Sequence, residues 1–173
     1  MRIFFGTGKP LHLAPECACH KNLRILAVGA LRSPHWKTAA AHYLERLKHW
    51  RRIHEHVVKD ADAGLPEAER MRLEGQRLLR AVRVDDYLIC LDERGKSMPS
   101  HAFAAFLGEI SNTSRTPCFV LGGPFGLAET VRSQASFVLG LGPMTLPHEL
   151  ARVVLLEQVY RAEAIVRKMP YHH

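Results

Sequence analysis

The sequence predicts an α/β domain with a mostly parallel sheet covered by helices on both faces, and three observations carry that expectation. Short apolar runs alternate with helix-like stretches along residues 23–167. Five β/α pairs of this length imply parallel strands joined by helical crossovers. Two of the runs, Cys118 to Leu121 and Ser136 to Leu139, lead straight into glycine-bearing loops. In an open α/β sheet, loops at the carboxyl ends of strands form the ligand crevice, and glycine there lets backbone meet a ligand directly.

The elements follow in order. Residues Met1 to Asn22, with Gly6, Gly8, Pro10 and Pro15, hold no sustained period and read as a poorly packed extension before one domain over residues 23–173. The strands are expected at Leu23 to Val28, Ile53 to Val58, Asp86 to Leu91, Pro117 to Leu121 and Ser136 to Leu139. The helices are expected at His35 to Lys48, Pro66 to Ala81, Ser100 to Ile110, Leu127 to Gln134 and Pro147 to Arg167. Ser33-Pro34 and Leu65-Pro66 mark helix starts, because proline fits the first helical turn, where its missing N–H has no partner to lose. The last helix is apolar on most sides, with Leu150, Val153, Leu156, Val159, Ile165 and others spread well beyond one stripe. A helix of that kind is packed on most sides, and in a chain this small the second side points to a homodimer.

Length and composition narrow the function. A chain of 173 residues is one domain's worth, with 47% hydrophobic and 24% charged residues as in ordinary soluble proteins. The net charge of +7 favours a polyanionic partner, above all nucleic acid. Arg46, Lys48, His49, Trp50, Arg51 and Arg52 combine cations with an aromatic able to stack on a base, and Arg152, Arg161, Arg167 and Lys168 extend the basic set. No apolar run approaches the ~20 residues of a membrane span, and the opening stretch is too short for a signal-peptide core, so a cytoplasmic protein is expected. Cys90 and Cys118 fall in apolar strands as small hydrophobes. Cys17-Ala18-Cys19-His20 with His12 lacks a second cysteine pair at zinc spacing, and no metal is expected there or at His54 and His56.

The two loops read Gly122-Gly123-Pro124-Phe125-Gly126 and Gly140-Leu141-Gly142-Pro143-Met144-Thr145-Leu146-Pro147-His148. Neither has the spacing of GxGxxG or GxxxxGK[ST], so a ligand held by neutral backbone fits better than a nucleotide pyrophosphate. Ser33, Ser97 and Ser100 lack a nucleophile-elbow context, which counts against hydrolysis.

Several spaced motifs now carry a resemblance: LGGPFGL, MTLPHELAR, LLEQVYRA and the terminal PYHH, with LAVG, Pro34 and Trp36, Glu74-Gly75 and LDERGK upstream. Over Lys21 to His173 the chain resembles the bacterial ribosomal large-subunit pseudouridine N3-methyltransferases, the RlmH family of the SPOUT class. The resemblance implies a C-terminal trefoil knot, an S-adenosylmethionine site within it, no metal, and an obligate homodimer. It implies methylation of N3 of a pseudouridine in helix 69 of 23S rRNA, on the assembled ribosome. Carried over by position, the cofactor would meet Leu91 at the end of the third strand, Gly122 and Gly123 in the first loop, and Gly142, Pro143, Met144, Thr145, Leu146 and Pro147 in the second.

The acceptor is a ring nitrogen bearing a weakly acidic proton, so alignment and proton removal are the tasks of the site. His148 is the first candidate base, since imidazole changes charge nearest neutral pH. Its place at a helix start equally suits a residue that bonds backbone. Tyr171 and His172 are further catalytic candidates, on a tail that the resemblance sets near the partner subunit's cofactor. His173 stands where the family usually has Arg or Lys. Relatives often carry an acidic or polar residue where Phe125 sits, so no essential carboxylate carries over to that position. Two other readings stay open: the same fold acting on tRNA, and a noncatalytic RNA-binding or ribosome-associated module.

Overall fold

The computed structural model describes residues 22–171. The chain runs β1 (Asn22–Val28), α1 (Pro34–Leu47), β2 (Arg52–Val58), α2 (Glu67–Ala81), β3 (Asp86–Lys96), α3 (Ser100–Ser111), β4 (Thr116–Leu121), α4 (Glu129–Arg132), β5 (Phe137–Leu139) and α5 (His148–Val166). All five strands pair in parallel in the order β2-β1-β4-β3-β5.

Strand composition follows place in the sheet. The interior β1 and β4 are largely apolar and almost wholly buried. At the edge, β2 reads RIHEHVV and is mostly exposed, with His54 and His56 in solvent on one face. Glu55, on the other face, accepts a hydrogen bond from Arg152 Nε at 2.9 Å. Because side chains alternate across a strand, the sheet has two cores. Leu23, Ile25, Ile89 and Phe119 pack under α1, α3 and α5, whereas Leu26, Val28, Leu88 and Val120 pack under α2 and α4.

The helices differ from expectation where tether length and neighbours intervene. Residues Leu127 to Gln134 yield a single turn, α4, because Ser136 N–H already donates to Leu88 O at 2.8 Å and few residues are left for a helix. Arg132 Nη1 takes the Leu127 carbonyl at 2.9 Å. β3 runs beyond its expected end to Lys96, although regular pairing with β5 stops at Leu91. Leu91 is therefore inside the strand rather than at its end. The apolar girth of α5 has a cause within the chain: α5 packs against both α1 and α3, and Leu155, Leu156 and Val159 are fully buried.

Two buried ion pairs fasten the frame. Arg24 on β1 pairs with Asp86 at the start of β3 and donates from Nη2 to Ala81 O at 2.9 Å. Asp86 also accepts the Arg83 N–H at 2.8 Å. Arg51, just before β2, donates from Nε to Glu163 Oε1 of α5 at 2.6 Å. No helix among the described residues is long and apolar enough to cross a membrane. Asn22, assigned to the extension by sequence, is the first residue of β1 and pairs with Arg52. The rest of that extension, including Cys17, Cys19 and His20, lies outside the described residues, as does His172.

Candidate active site

The carboxyl ends of β3, β4 and β5 enclose a cavity of about 850 Å³. Leu91 and Asp92 form one wall, and Gly122, Gly123 and Phe125 a second. Gly142, Met144, Thr145, Leu146 and Pro147 form a third, completed by His148 and Ala151 at the start of α5. Of the residues assigned to the cofactor by sequence, Pro143 alone does not line this space. Glu67 and Met71 of α2 do line it, and no feature of the sequence pointed to them.

Each loop has a local reason for its shape. Beyond β4 the chain folds back so tightly that a Cβ on Gly122 would lie 2.2 Å from Gly126 O. Gly126 N–H donates to Gly123 O at 3.0 Å, closing the turn. Beneath it, the buried Glu74 accepts the Ala61 N–H at 2.9 Å. Its second oxygen, Oε2, has no hydrogen-bond partner among the described residues and lies 3.0 Å from where a Gly123 Cβ would stand. In the second loop Gly142 has φ +152°, a conformation that side-chain-bearing residues rarely adopt. The Thr145 hydroxyl bonds to the Glu93 carboxylate and ties this loop to the outer part of β3. Glu149 accepts N–H bonds from Arg32 at 3.0 Å and Ser33 at 3.2 Å, anchoring the start of α5, and with it His148, to the β1–α1 loop.

Asp92 is a well-partnered charge at the cavity. It accepts from Arg132 Nη1 at 2.9 Å and from Arg94 N at 3.0 Å. Burial opposes its charge, but the hydrogen bonds from Arg94 and Arg132 outweigh burial and hold its carboxyl below the usual carboxylate range. Asp92 and Arg94 belong to the LDERGK motif, whereas Arg132, on the short α4, carried no signal in the sequence.

Tyr171 is elsewhere. Its ring packs edge-on against Tyr160 at 4.7 Å, and its hydroxyl lies 3.4 Å from Glu157 Oε1. Burial above all, helped by Tyr43 and Glu157, pushes this phenol up to about 12. Glu157 stands nine residues along α5 from His148, or about 13.5 Å at 1.5 Å per residue. One chain therefore does not bring Tyr171 to His148.

Much of the basic set expected to hold RNA is engaged internally. Trp50 stacks on Tyr160, rings 5.1 Å apart and 18° from parallel, with the Arg167 guanidinium 5.2 Å from its centre. Trp50 is thus a packing residue, not an exposed platform. Arg46 lies 4.1 Å over the Tyr160 ring, and Arg51 is buried against Glu163. Arg152, Arg161 and Arg167 pair with Glu55, Glu157 and Glu163. Arg52, His49 and Lys168 remain exposed.

The family model described as "Predicted SPOUT methyltransferase" matches residues 21–172, nearly the whole chain. The chain belongs to the SPOUT methyltransferase family. Within it, the curated relatives place this SPOUT chain in the RlmH family. One relative, named Ribosomal RNA large subunit methyltransferase H, from Nitratidesulfovibrio vulgaris strain Miyazaki F, is 54% identical over 154 residues, covering 88% of this chain and 99% of its own. Another of the same name, from Lawsonia intracellularis, is 49% identical and covers 88% of this chain and 98% of its own. Among solved structures, a probable methyltransferase from Bordetella pertussis matches with a TM-score of 0.53 at 14% identity, over 84% of this SPOUT chain and 98% of the other. A probable methylase family protein from Haemophilus influenzae matches at 0.52 and 14% identity, over 89% and 71%. These two similarities show the shared fold.

Proposed function

We propose that this chain transfers a methyl group from S-adenosylmethionine to N3 of a pseudouridine in helix 69 of 23S rRNA, on the assembled ribosome. One observation carries the reading: the loops after β4 and β5, which leave consecutive strands, close with the end of β3 on a single cavity with His148 at its wall. The relatives' name, ribosomal RNA large subunit methyltransferase, supplies the substrate class.

The residues present fit the methyl donor. It has no phosphate, and the cavity has no phosphate cradle. Leu91, Leu121, Leu139 and Leu146 supply apolar wall, while the glycine loops offer backbone N–H and C=O groups. The size also suits a ligand of this class, for which sites of about 300–1,000 Å³ are usual. When bound, the donor brings a methyl group already activated on a sulfonium. The protein's part is alignment and proton removal. The two loops hold the donor's polar edges, and His148 takes the proton of the acceptor nitrogen. Tyr171, a neutral phenol near neutral pH, acts as a hydrogen-bond donor that positions the acceptor.

The gap of about 13.5 Å along α5 between His148 and the level of the Tyr171 pocket supports a homodimer in which the tail, Tyr171 with His172, serves the partner's cavity. We also assign the trefoil knot to the C-terminal part. In support, the SPOUT methyltransferase family model extends over residues 21–172, the C-terminal part included.

The decisive experiment incubates the protein and S-adenosylmethionine with ribosomes from a strain lacking the methylation, then maps modified nucleosides by mass spectrometry. Gain of one methyl on a helix 69 pseudouridine is expected. Methylation of tRNA instead would favour the sister activity, and absence of donor binding in calorimetry would favour a noncatalytic module.

A further inference from the structure

The two loops carry a feature that methyl transfer alone does not require. Of the large apolar side chains left exposed among the described residues, two line the cavity: Phe125 at 39% and Met144 at 76% exposure. One comes from each loop. Apolar surface left in water forgoes roughly 25 cal/mol per Å², and such side chains at a cavity mouth mark a surface that a ligand covers.

Phe125 is also firmly mounted. It sits in the turn closed by the Gly126 to Gly123 hydrogen bond of 3.0 Å. From α2 the Arg70 guanidinium stands 4.8 Å from the ring centre. Among the described residues no second ring packs on it. The result is a fixed aromatic face with a cation beside it, next to the space where the methyl acceptor must enter.

Charge at the same lip says which part of a nucleic acid fits. Glu67 and Glu93 line the cavity as exposed carboxylates that repel a phosphate backbone, while Arg94 and Arg132, which also line it, already pair with Asp92. A nucleobase, uncharged and with a π face, has no such conflict. Resting on the RNA methyltransferase reading above, we propose that Phe125, supported by Arg70, is a stacking platform for a nucleobase of the substrate RNA at the cavity mouth, with Met144 as the apolar contact from the other loop. The guanidinium strengthens the stack through its cation–π contact and holds the ring in place.

The test compares Phe125→Ala, Phe125→Tyr and Arg70→Gln with the wild type, using ribosomes from a strain lacking the methylation as substrate. Stacking one base is worth roughly 1–3 kcal/mol, so Phe125→Ala should raise KM for ribosomes about 5- to 150-fold, ahead of any fall in kcat. Phe125→Tyr keeps the π face and should stay within about threefold, with Arg70→Gln between the two. The Kd for S-adenosylmethionine, by calorimetry, should move far less than KM in all three.

Three outcomes overturn the platform. An unchanged KM in Phe125→Ala removes its role. An equal loss of donor affinity makes the ring a wall of the donor slot, and a shift in oligomeric state by sedimentation makes it a subunit contact. If the wild type methylates ribosomes and Phe125→Ala does so with the same KM, only the platform fails. If the wild type methylates no RNA, the parent reading fails and the platform with it.

Discussion

Gly122 occupies a position that no other residue can take without rebuilding the loop after β4, since its Cβ would lie 2.2 Å from Gly126 O. Gly142 is restricted differently: space is open around it, but its φ of +152° is costly for a β-branched residue. Gly122→Ala and Gly142→Val should therefore each weaken S-adenosylmethionine binding at least about tenfold, the effect of roughly 1.4 kcal/mol, while the chain stays folded. Calorimetry with circular dichroism checks both, and unchanged affinity in both variants would remove the two-loop site. The cysteines offer a second check at this scale. Burial pushes the Cys90 thiol up to about 12 and Cys118 up as well, so neither is a thiolate near neutral pH. Alkylation of the native protein at mildly alkaline pH should leave both unmodified by peptide mapping, with labelling only after denaturation.

At the level of elements, the buried Arg24 and Asp86 join β1, the end of α2 and the start of β3. Asp86→Ala leaves the guanidinium buried with a single carbonyl partner, and removing one member of such a pair costs about 3–5 kcal/mol. Replacing both with apolar residues of similar volume should cost much less, because the desolvation of both charges is avoided. Urea titration of the single and double variants reads the difference. A double variant as unstable as Asp86→Ala would show that the hydrogen bonds to Ala81 and Arg83, not charge burial, decide. The pattern of elements was largely legible in the sequence: apolar runs located every strand, and proline placed the starts of α1 and α2. α4 was not. Its length depends on where β5 begins to pair, a constraint between segments that periodicity does not contain.

For the whole molecule, the proposal that His148 and Tyr171 act on one acceptor requires a second subunit. They lie at different levels of α5, and α1 and α3 already cover much of that helix. If the tail serves a partner, deletion of residues 171–173 should spare donor binding and dimerisation but strongly reduce methyl transfer. A chain carrying Gly142→Val should fail for the opposite reason. Mixing the two under conditions of subunit exchange should restore activity, since a heterodimer pairs one intact loop with one intact tail. Confirmed heterodimers without activity would rule out a shared site.

The sequence by itself determined the class of fold, the two glycine loops and the family, because these rest on local chemistry: apolar runs, turn residues and spaced motifs. It also supplied most of the cavity's lining, for the loops that follow β4 and β5 are contiguous in the chain. Only the tertiary structure decided which charges are available. Arg46, Trp50, Arg51, Arg152 and Arg161 read as an open basic surface in the sequence, yet helix packing turns them onto tyrosines and carboxylates more than ninety residues away in the chain for all but Arg161, whose partner Glu157 is one helical turn back. The same packing brought Glu67 and Met71 to the cavity and set Phe125 beside Arg70. The physical reason is common to all of these. A side chain's partner is set by which elements the sheet order makes neighbours, and strand order is a property of the folded sheet rather than of any segment in it.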